Sequence, residues 1–135
     1  MKFFSKPFRI KYSDTDQMGF MHHSNYLKYF ENARISWLRT LGVSYRETEK
    51  EGILMPVVSA SLEFIIPLYF DDEIIIEIIL AEVPKATLSF EYKIINQNQE
   101  LVCRGKTKLA FLNSKTMKPV RAPKNIYNLF SDEFK

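Results

Sequence analysis

Cysteine and histidine are scarce in this sequence, which limits the kinds of site that it can build. Cys103 is the single cysteine, so an intramolecular disulfide is impossible and a metal site based on cysteines cannot form. The two histidines, His22 and His23, are adjacent, and neighbouring residues rarely converge on one ion. We therefore expect no metal ion. The cysteine content is also compatible with a reducing cytoplasm.

The sequence also lacks a long uninterrupted hydrophobic run and a strong excess of charge. Its most apolar stretch, residues 65–83, is broken by acidic residues, and polar residues and Pro7 interrupt residues 1–14 before a signal-type apolar core can develop. The net charge of +3 is small for a nucleic-acid binder, which usually carries a denser basic stripe. We expect a cytoplasmic protein with no membrane span and no nucleic-acid partner.

The hydrophobic periodicity predicts one long helix near the start of the chain. Residues 8–13 alternate as in a half-buried strand. Ser24 or Asn25 can then cap a helix that runs to about Leu41, because either side chain can accept a first-turn N–H, and Gly42 supplies its end. The apolar residues of this helix cover much more than one stripe. Such a pattern is typical of a helix wrapped by other structure.

After Pro56 the period changes to two, which indicates consecutive strands. Short helices are predicted before Gly52 and after Pro123. The predicted strands cover residues 58–66, 73–83, 87–95 and 101–112. The short connections between these strands favour an antiparallel sheet. The 135 residues therefore predict a single α+β domain, with a long central helix wrapped by an antiparallel sheet of five to six strands, whose exposed edges favour pairing with another copy.

A polar loop with two aspartates precedes the predicted long helix. Asp16 lies just upstream of the helix N-terminus, where free N–H groups and the macrodipole create positive potential. Such a pocket can polarise a carbonyl oxygen while a nearby carboxylate attacks the carbonyl carbon or activates water. Gly19 permits close approach of a ligand to the backbone. The alternative is that Asp14 and Asp16 form only an Asx-turn after the strand.

His23 and Glu31 are further candidates on or beside this helix. The backbone N–H of His23 lies nearest the helix start, whereas its ring has the alternative of a hydrogen bond within the loop. Glu31 precedes Arg34 by three residues, so an intrahelical ion pair is the simpler interpretation. A carboxylate directed into a pocket would instead make Glu31 a rival to Asp16. Cys103 falls among core-facing residues and is interpreted as a packing residue.

The stretch YSDTDQMGFMHHSNYLKYFENARISWLRTLG, residues 12–42, resembles the 4-hydroxybenzoyl-CoA thioesterase family, and within it the bacterial YbgC-like acyl-CoA thioesterases. The matching features are Asp-Thr-Asp at 14–16, Gly19, His23 followed by Asn25-Tyr26, the run Phe30-Glu31-x-Ala33-Arg34, and Trp37. The stretches MPVVSASLEFIIPLYFDDEI and FLNSKTMKPVRAP are also similar to family segments. The resemblance implies one hotdog thioesterase domain over residues 1–135, in which an antiparallel sheet wraps a long helix.

The same resemblance implies hydrolysis of a small or medium acyl-CoA, or of an acyl-carrier protein, to free acid and thiol. Asp16 matches the catalytic aspartate, as nucleophile or base, and His23 matches the residue whose backbone N–H polarises the thioester carbonyl. The implied substrate contacts are Gly19, Tyr26, Glu31 and Lys85, the last near the CoA phosphates. No cofactor is implied, because coenzyme A is part of the substrate. A homodimer or homotetramer is the implied assembly.

Two other functions are compatible with the sequence. A hotdog hydratase or dehydratase would pair a histidine with a helix carboxylate, here His23 with Glu31. A non-catalytic acyl-CoA-binding module would bind the thioester without turnover. The position of Asp16 favours the thioesterase. Gln17 and Met18 stand where many relatives carry small residues, which alters the shape of the acyl pocket.

Overall fold

The computed structural model describes residues 1–132; residues 133–135, which the predicted domain includes, lie outside the described part. Within that part the helices are α1 (Ser24–Thr40), α2 (Tyr45–Lys50) and α3 (Lys124–Ser131). The strands are β1 (Lys2–Phe4), β2 (Phe8–Arg9), β3 (Ile53–Leu54), β4 (Val57–Phe64), β5 (Glu73–Leu80), β6 (Thr87–Asn96), β7 (Leu101–Ala110) and β8 (Leu112–Asn113). No helix in residues 1–132 is long and apolar enough to cross a membrane.

Six strands form one antiparallel sheet in the order β1-β5-β6-β7-β4, with β2 also paired to β5. In β6 and β7 the burial of successive side chains alternates, as the period of two predicts. Phe30 of α1 stacks on Tyr92 of β6 at a ring-centroid distance of 4.4 Å and lies over Gly105 of β7. The prediction of an α+β fold with a long helix against five or six antiparallel strands is confirmed.

Helix α1 is buried on the side that faces the sheet and exposed on the other. Its buried residues are Asn25, Tyr26, Phe30, Ala33, Arg34, Trp37 and Leu38. Lys28, Asn32 and Ser36 are exposed, and even the apolar Leu27 is 39% exposed. The breadth of the apolar pattern therefore overstates the burial of α1, because one sheet covers only one side of a helix.

A buried guanidinium joins α1 to its neighbours. Arg34 is 2% exposed, and its Nε donates to the Tyr45 hydroxyl at 2.9 Å while Nη1 donates to the Tyr92 hydroxyl at 3.0 Å. The Tyr92 hydroxyl in turn shares a hydrogen bond of 2.6 Å with Thr107 Oγ1. Buried charge is tolerated when its donors are satisfied, so this network fixes the position of α1 over β6 and β7.

The predicted strand over residues 8–13 is wrong beyond its second residue. The N-terminal segment instead forms β1 and β2, both paired with β5, and then a 3₁₀ turn over Tyr12–Asp14. Pro7 separates the two strands, and its ring nitrogen has no N–H to donate to a ladder.

The predicted positions of the helix ends agree with the structure. Gly42 follows α1 with a φ of +88°, a conformation that glycine adopts without strain. Helix α2 lies before Gly52, and α3 follows Pro123. The strand predicted over residues 73–83 ends earlier, at Leu80, and its outer face is only partly covered.

Candidate active site

A half-open cavity of about 290 Å³ lies where the loop before α1, the start of α1 and the end of β4 meet. Asp16, His23 and Tyr26 all line it. The rest of its lining is apolar and consists of Met18, Phe20, Met21, Phe64, Ile65, Ile66 and Pro67. The fold thus brings three of the sequence-predicted site residues to one apolar cavity.

The loop that carries Asp16 is closed by its own hydrogen bonds. The Asp16 N–H donates to the Phe20 carbonyl at 3.0 Å, and the Gly19 N–H donates to the Asp16 carbonyl at 3.0 Å. Gly19 makes this turn at a φ of +89° and does not line the cavity. Asp16 Oδ1 accepts the Met18 N–H at 2.9 Å, which is the predicted Asx-turn. Oδ2 of Asp16 has no donor among residues 1–132.

Asp14 stabilises the loop and does not line the cavity. Its Oδ2 accepts the Tyr29 hydroxyl at 2.5 Å. Its carbonyl oxygen accepts the His22 N–H at 2.9 Å and the Asn25 side-chain amide at 2.9 Å. Burial, together with this hydrogen bond and the Asp14 charge, raises the pKa of Tyr29 well above its usual value, so the hydroxyl stays protonated and donates. Asp14 therefore fixes the loop to the first two turns of α1.

Helix α1 begins after His23 without the side-chain cap that the sequence predicts. Nδ1 of the His22 ring accepts the Ser24 N–H at 3.2 Å and lies 2.8 Å from Ser24 Oγ. The His22 carbonyl accepts the Asn25 N–H at 3.0 Å. The prediction that Ser24 or Asn25 caps the helix is therefore wrong, because His22 supplies both acceptors.

The backbone N–H of His23 has no acceptor in the described part of the chain. It is a free donor at the positive end of α1. His23 lines the cavity together with Asp16, so a residue with a free N–H and a residue with a carboxylate border the same apolar space. That combination can stabilise negative charge on a carbonyl oxygen while the carboxylate acts on the carbonyl carbon.

Tyr26 supplies the buried part of the cavity lining. It is 3% exposed, and its ring meets Phe64 edge to face at 4.9 Å. Burial raises the pKa of Tyr26 to about 12; the neighbouring Cys103 adds to this rise, and a hydrogen bond with the Leu68 backbone opposes it. The phenol is therefore neutral at physiological pH and cannot serve as a base. Cys103 is itself fully buried, as predicted for a packing residue.

Glu31 and Lys85 do not line this cavity. The Glu31 side chain is 56% exposed, and its Oε1 lies 3.9 Å from Arg34 Nη2, which is the ion pair predicted as the alternative. Lys85 is exposed in the connection between β5 and β6, where its backbone N–H donates to the Thr87 carbonyl at 3.3 Å. The pairing of His23 with Glu31 that a hydratase would use is not present in the lining of this cavity.

The apolar wall of the cavity was missed from the sequence. Phe64 and Ile66 lie in the predicted strand over residues 58–66, and nothing in its pattern indicates that they form the cavity wall at the end of β4. The Met21 N–H donates to the Leu68 carbonyl at 2.6 Å, and this contact brings the loop of Asp16 to the end of β4. Pro67, which ends the strand, is the one local signal of this wall. Among residues 1–132, no group of three or more His, Cys, Asp or Glu residues could hold a metal ion.

Comparison with known proteins identifies the family. Residues 10–130 match the family model described as Thioesterase-like superfamily. The chain belongs to this superfamily. Among its members, the acyl-CoA thioesterase YbgC of Haemophilus influenzae is 32% identical over 128 residues, which cover 94% of this chain and 93% of that relative. The predicted resemblance to YbgC-like proteins is confirmed.

Solved structures of thioesterases share the fold of this superfamily member. A DHNA-CoA thioesterase from Staphylococcus aureus has a TM-score of 0.91 and 26% sequence identity, covering 98% of this chain and 91% of its own. A variant of 4-hydroxybenzoyl-CoA thioesterase, complexed with 4-hydroxybenzoyl-CoA, has a TM-score of 0.83 at 19% identity, covering 95% of this chain and 97% of its own. The second likeness concerns the fold alone. The predicted hotdog fold is confirmed.

Proposed function

We propose that this protein hydrolyses the thioester of a small or medium acyl-CoA to the free acid and coenzyme A. Membership of the thioesterase-like superfamily supports the reaction class, and the relatives named above support acyl-CoA as the substrate class. The observation that carries the proposal is that Asp16 and His23, whose N–H is free, line one apolar cavity. The acyl group would contact the wall at the end of β4, with its carbonyl at the start of α1.

Asp16 can act on the thioester by two routes. As a nucleophile, its carboxylate adds to the carbonyl carbon and the C–S bond breaks to release the thiolate. Water then hydrolyses the resulting anhydride to the acid and the regenerated carboxylate, and the remaining proton of that water passes to the thiolate. As a base, Asp16 accepts a proton from water while the water oxygen adds to the carbon; the C–S bond then breaks, and the proton passes to the thiolate. On both routes the His23 N–H donates to the oxyanion.

Substitution of Asp16 by asparagine tests the proposal. The amide oxygen can still accept the Met18 N–H, so the turn is retained while the charge is lost. We expect Asp16→Asn to lower kcat/KM by at least about 100-fold. Thiol release should be measured with a panel of acyl-CoAs of varied chain length and aromaticity. Glu63→Gln, an exposed carboxylate on β4 outside the cavity, is the matched control. Undiminished hydrolysis by Asp16→Asn would contradict the proposal.

The same panel resolves the finer parts of the proposal. Acyl groups presented on coenzyme A and on acyl-carrier protein identify the carrier. A single turnover in the presence of hydroxylamine traps the Asp16 anhydride only on the nucleophilic route. The proposed reaction needs no cofactor besides its substrate and water, so dialysis against a chelator should leave the rate unchanged. A cytoplasmic location is also proposed, compatible with the single buried cysteine, and Lys85 remains a predicted contact for the CoA phosphates.

We propose further that the active form is a homodimer or homotetramer paired through β4. Within residues 1–132 this strand ends the sheet order and pairs only with β7, and it presents Val57 and Val58 at 44% and 57% exposure. An unpaired apolar strand edge favours pairing with another strand. Phe64 and Ile65, at 52% and 43% exposure, belong both to this edge region and to the cavity wall. A second copy at β4 would therefore cover the open side of the cavity.

A further inference from the structure

A second, larger groove lies at the edge of the sheet opposite β4. It runs between the N-terminal strands β1 and β2 and the exposed side of α1, and its volume is about 520 Å³. None of its lining residues belongs to the cavity that contains Asp16. The groove is therefore a separate space that the proposed hydrolysis does not use.

The floor of this groove is apolar and partly aromatic. Phe8 and Tyr29 meet edge to face with ring centroids 5.4 Å apart, and Phe3 and Ile76 continue the same surface. Ala33 is one of the α1 residues that line the groove, and its side chain is small. Aromatic and aliphatic linings of this kind bind flat rings or short chains.

The rim of the groove is cationic. Lys6, Arg9 and Lys11 line it, and no carboxylate is among its lining residues. Arg9 is already engaged, with Nη1 3.6 Å from Asp71 Oδ2 and Nη2 3.5 Å from Glu73 Oε2. In residues 1–132 neither Lys6 nor Lys11 has a carboxylate within salt-bridge distance. Two ammonium groups without a counter-charge thus border an aromatic floor.

We propose that this groove binds a small amphipathic carboxylate, with its ring or chain against Phe8 and its carboxylate between Lys6 and Lys11. The combination of an apolar floor and an unneutralised cationic rim complements a molecule with one apolar body and one negative end. Acids of this class are also what the proposed hydrolysis releases. Only the idea that the ligand is the product of the reaction depends on the proposed function.

Tyr29 connects the groove to the loop of the cavity. Its ring lines the groove, and its hydroxyl donates to Asp14, whose carbonyl holds the His22 N–H. A ligand that packs on the Tyr29 ring therefore contacts a residue that positions the loop of Asp16.

Binding is tested with octanoate and benzoate, which separate a chain ligand from a ring ligand. Calorimetric titration of the whole protein should show saturable binding, and amide NMR shifts should lie at Phe8 and Ala33. Lys6→Ala combined with Lys11→Ala should weaken binding by about two- to thirtyfold, the loss expected for two exposed ion pairs. Ser36→Trp should fill the groove and abolish binding. Lys28→Ala and Lys28→Trp, on α1 outside the groove, are the matched controls.

The outcomes separate this proposal from its rivals. Binding that survives both the lysine variant and Ser36→Trp, or shifts confined to Phe64 and Ile65 at the other cavity, would overturn it. The proposal is also overturned if sedimentation shows that a second copy of the chain occupies the groove. If Ser36→Trp does not fold, the lysine variant decides, since it changes only exposed side chains. Asp16→Asn should bind octanoate as tightly as the unsubstituted protein does. That result would support the groove even if the proposed hydrolysis is not observed.

Discussion

Asp14 and Asp16 are two residues apart but have different environments. The carboxylate of Asp14 is engaged by the Tyr29 hydroxyl, so it is committed to holding the loop. Asp16 uses one oxygen for the Met18 N–H and keeps the other without a donor in residues 1–132. Each carboxylate keeps one oxygen without a donor in residues 1–132, but of the two residues only Asp16 lines the cavity, so only Asp16 can meet a substrate there.

Gly105 is the residue whose substitution should affect packing most directly. A Cβ at this position would overlap with Cε2 of Phe30, and Phe30 is fully buried against Tyr92. We expect Gly105→Ala to lower the free energy of unfolding by about 1–3 kcal/mol, the usual range for an overpacked core, as measured by urea denaturation. Adding Phe30→Leu should make the double variant less destabilised than the sum of the single changes. Strict additivity would argue against this contact.

Cys103 should make stability depend on alkaline pH. Burial raises the pKa of its thiol from 9.0 to about 11. The folded chain keeps this proton where the unfolded chain has lost it, so the contribution is fully present below pH 9 and is lost as the pH rises through about 11. We expect Cys103→Ala to show a shallower loss of unfolding free energy over this interval. Identical pH slopes for the two proteins would contradict the assignment.

At the scale of elements, the start of α1 depends on a side chain outside the helix. His22 accepts the Ser24 N–H and adjoins His23, whose own N–H stays free. We expect His22→Ala to lower the free energy of unfolding by about 0.5–2 kcal/mol, as for loss of a helix cap, and to lower kcat/KM as well. Ser44→Ala removes the cap of α2 and is the control. It should lower the free energy of unfolding by a similar amount but leave kcat/KM unchanged. A fully active His22→Ala protein would rule out this role.

The elements that the sequence predicts well are those whose side chains repeat over many residues. Helix α1 and the four long strands β4 to β7 show periods of 3.6 and two, and periodicity locates them. The strands β1 and β2 are too short to show a period, and they form only by pairing with β5 far along the chain. The same holds for the cavity. Asp16 and His23 are near in sequence and could be predicted, whereas the wall at Phe64 depends on tertiary contact.

For the whole molecule, the exposed edge of β4 should determine assembly. We expect Val58→Lys to shift sedimentation toward the single chain, because a charge on an edge strand opposes pairing, and to lower the rate of hydrolysis if a second copy completes the cavity. Phe4→Lys is the matched control, since Phe4 is an exposed apolar residue of β1 at the other edge. If Val58→Lys leaves association unchanged and Phe4→Lys abolishes it, the interface lies at the β1 edge and this prediction is wrong.

The N-terminal strands have a consequence for local stability. β1 is held to β5 by three residue pairs and β2 by two, whereas β6 and β7 are ten-residue strands paired along most of their length. Regions with few pairings open at lower free energy than the centre of a sheet, and amide hydrogen exchange detects that opening. The groove against α1 exists only while β1 and β2 remain paired. A ligand bound in the groove should therefore stabilise the pairing of β1 and β2 with β5. Amide hydrogen exchange at Phe3 and Phe8 should then be slower.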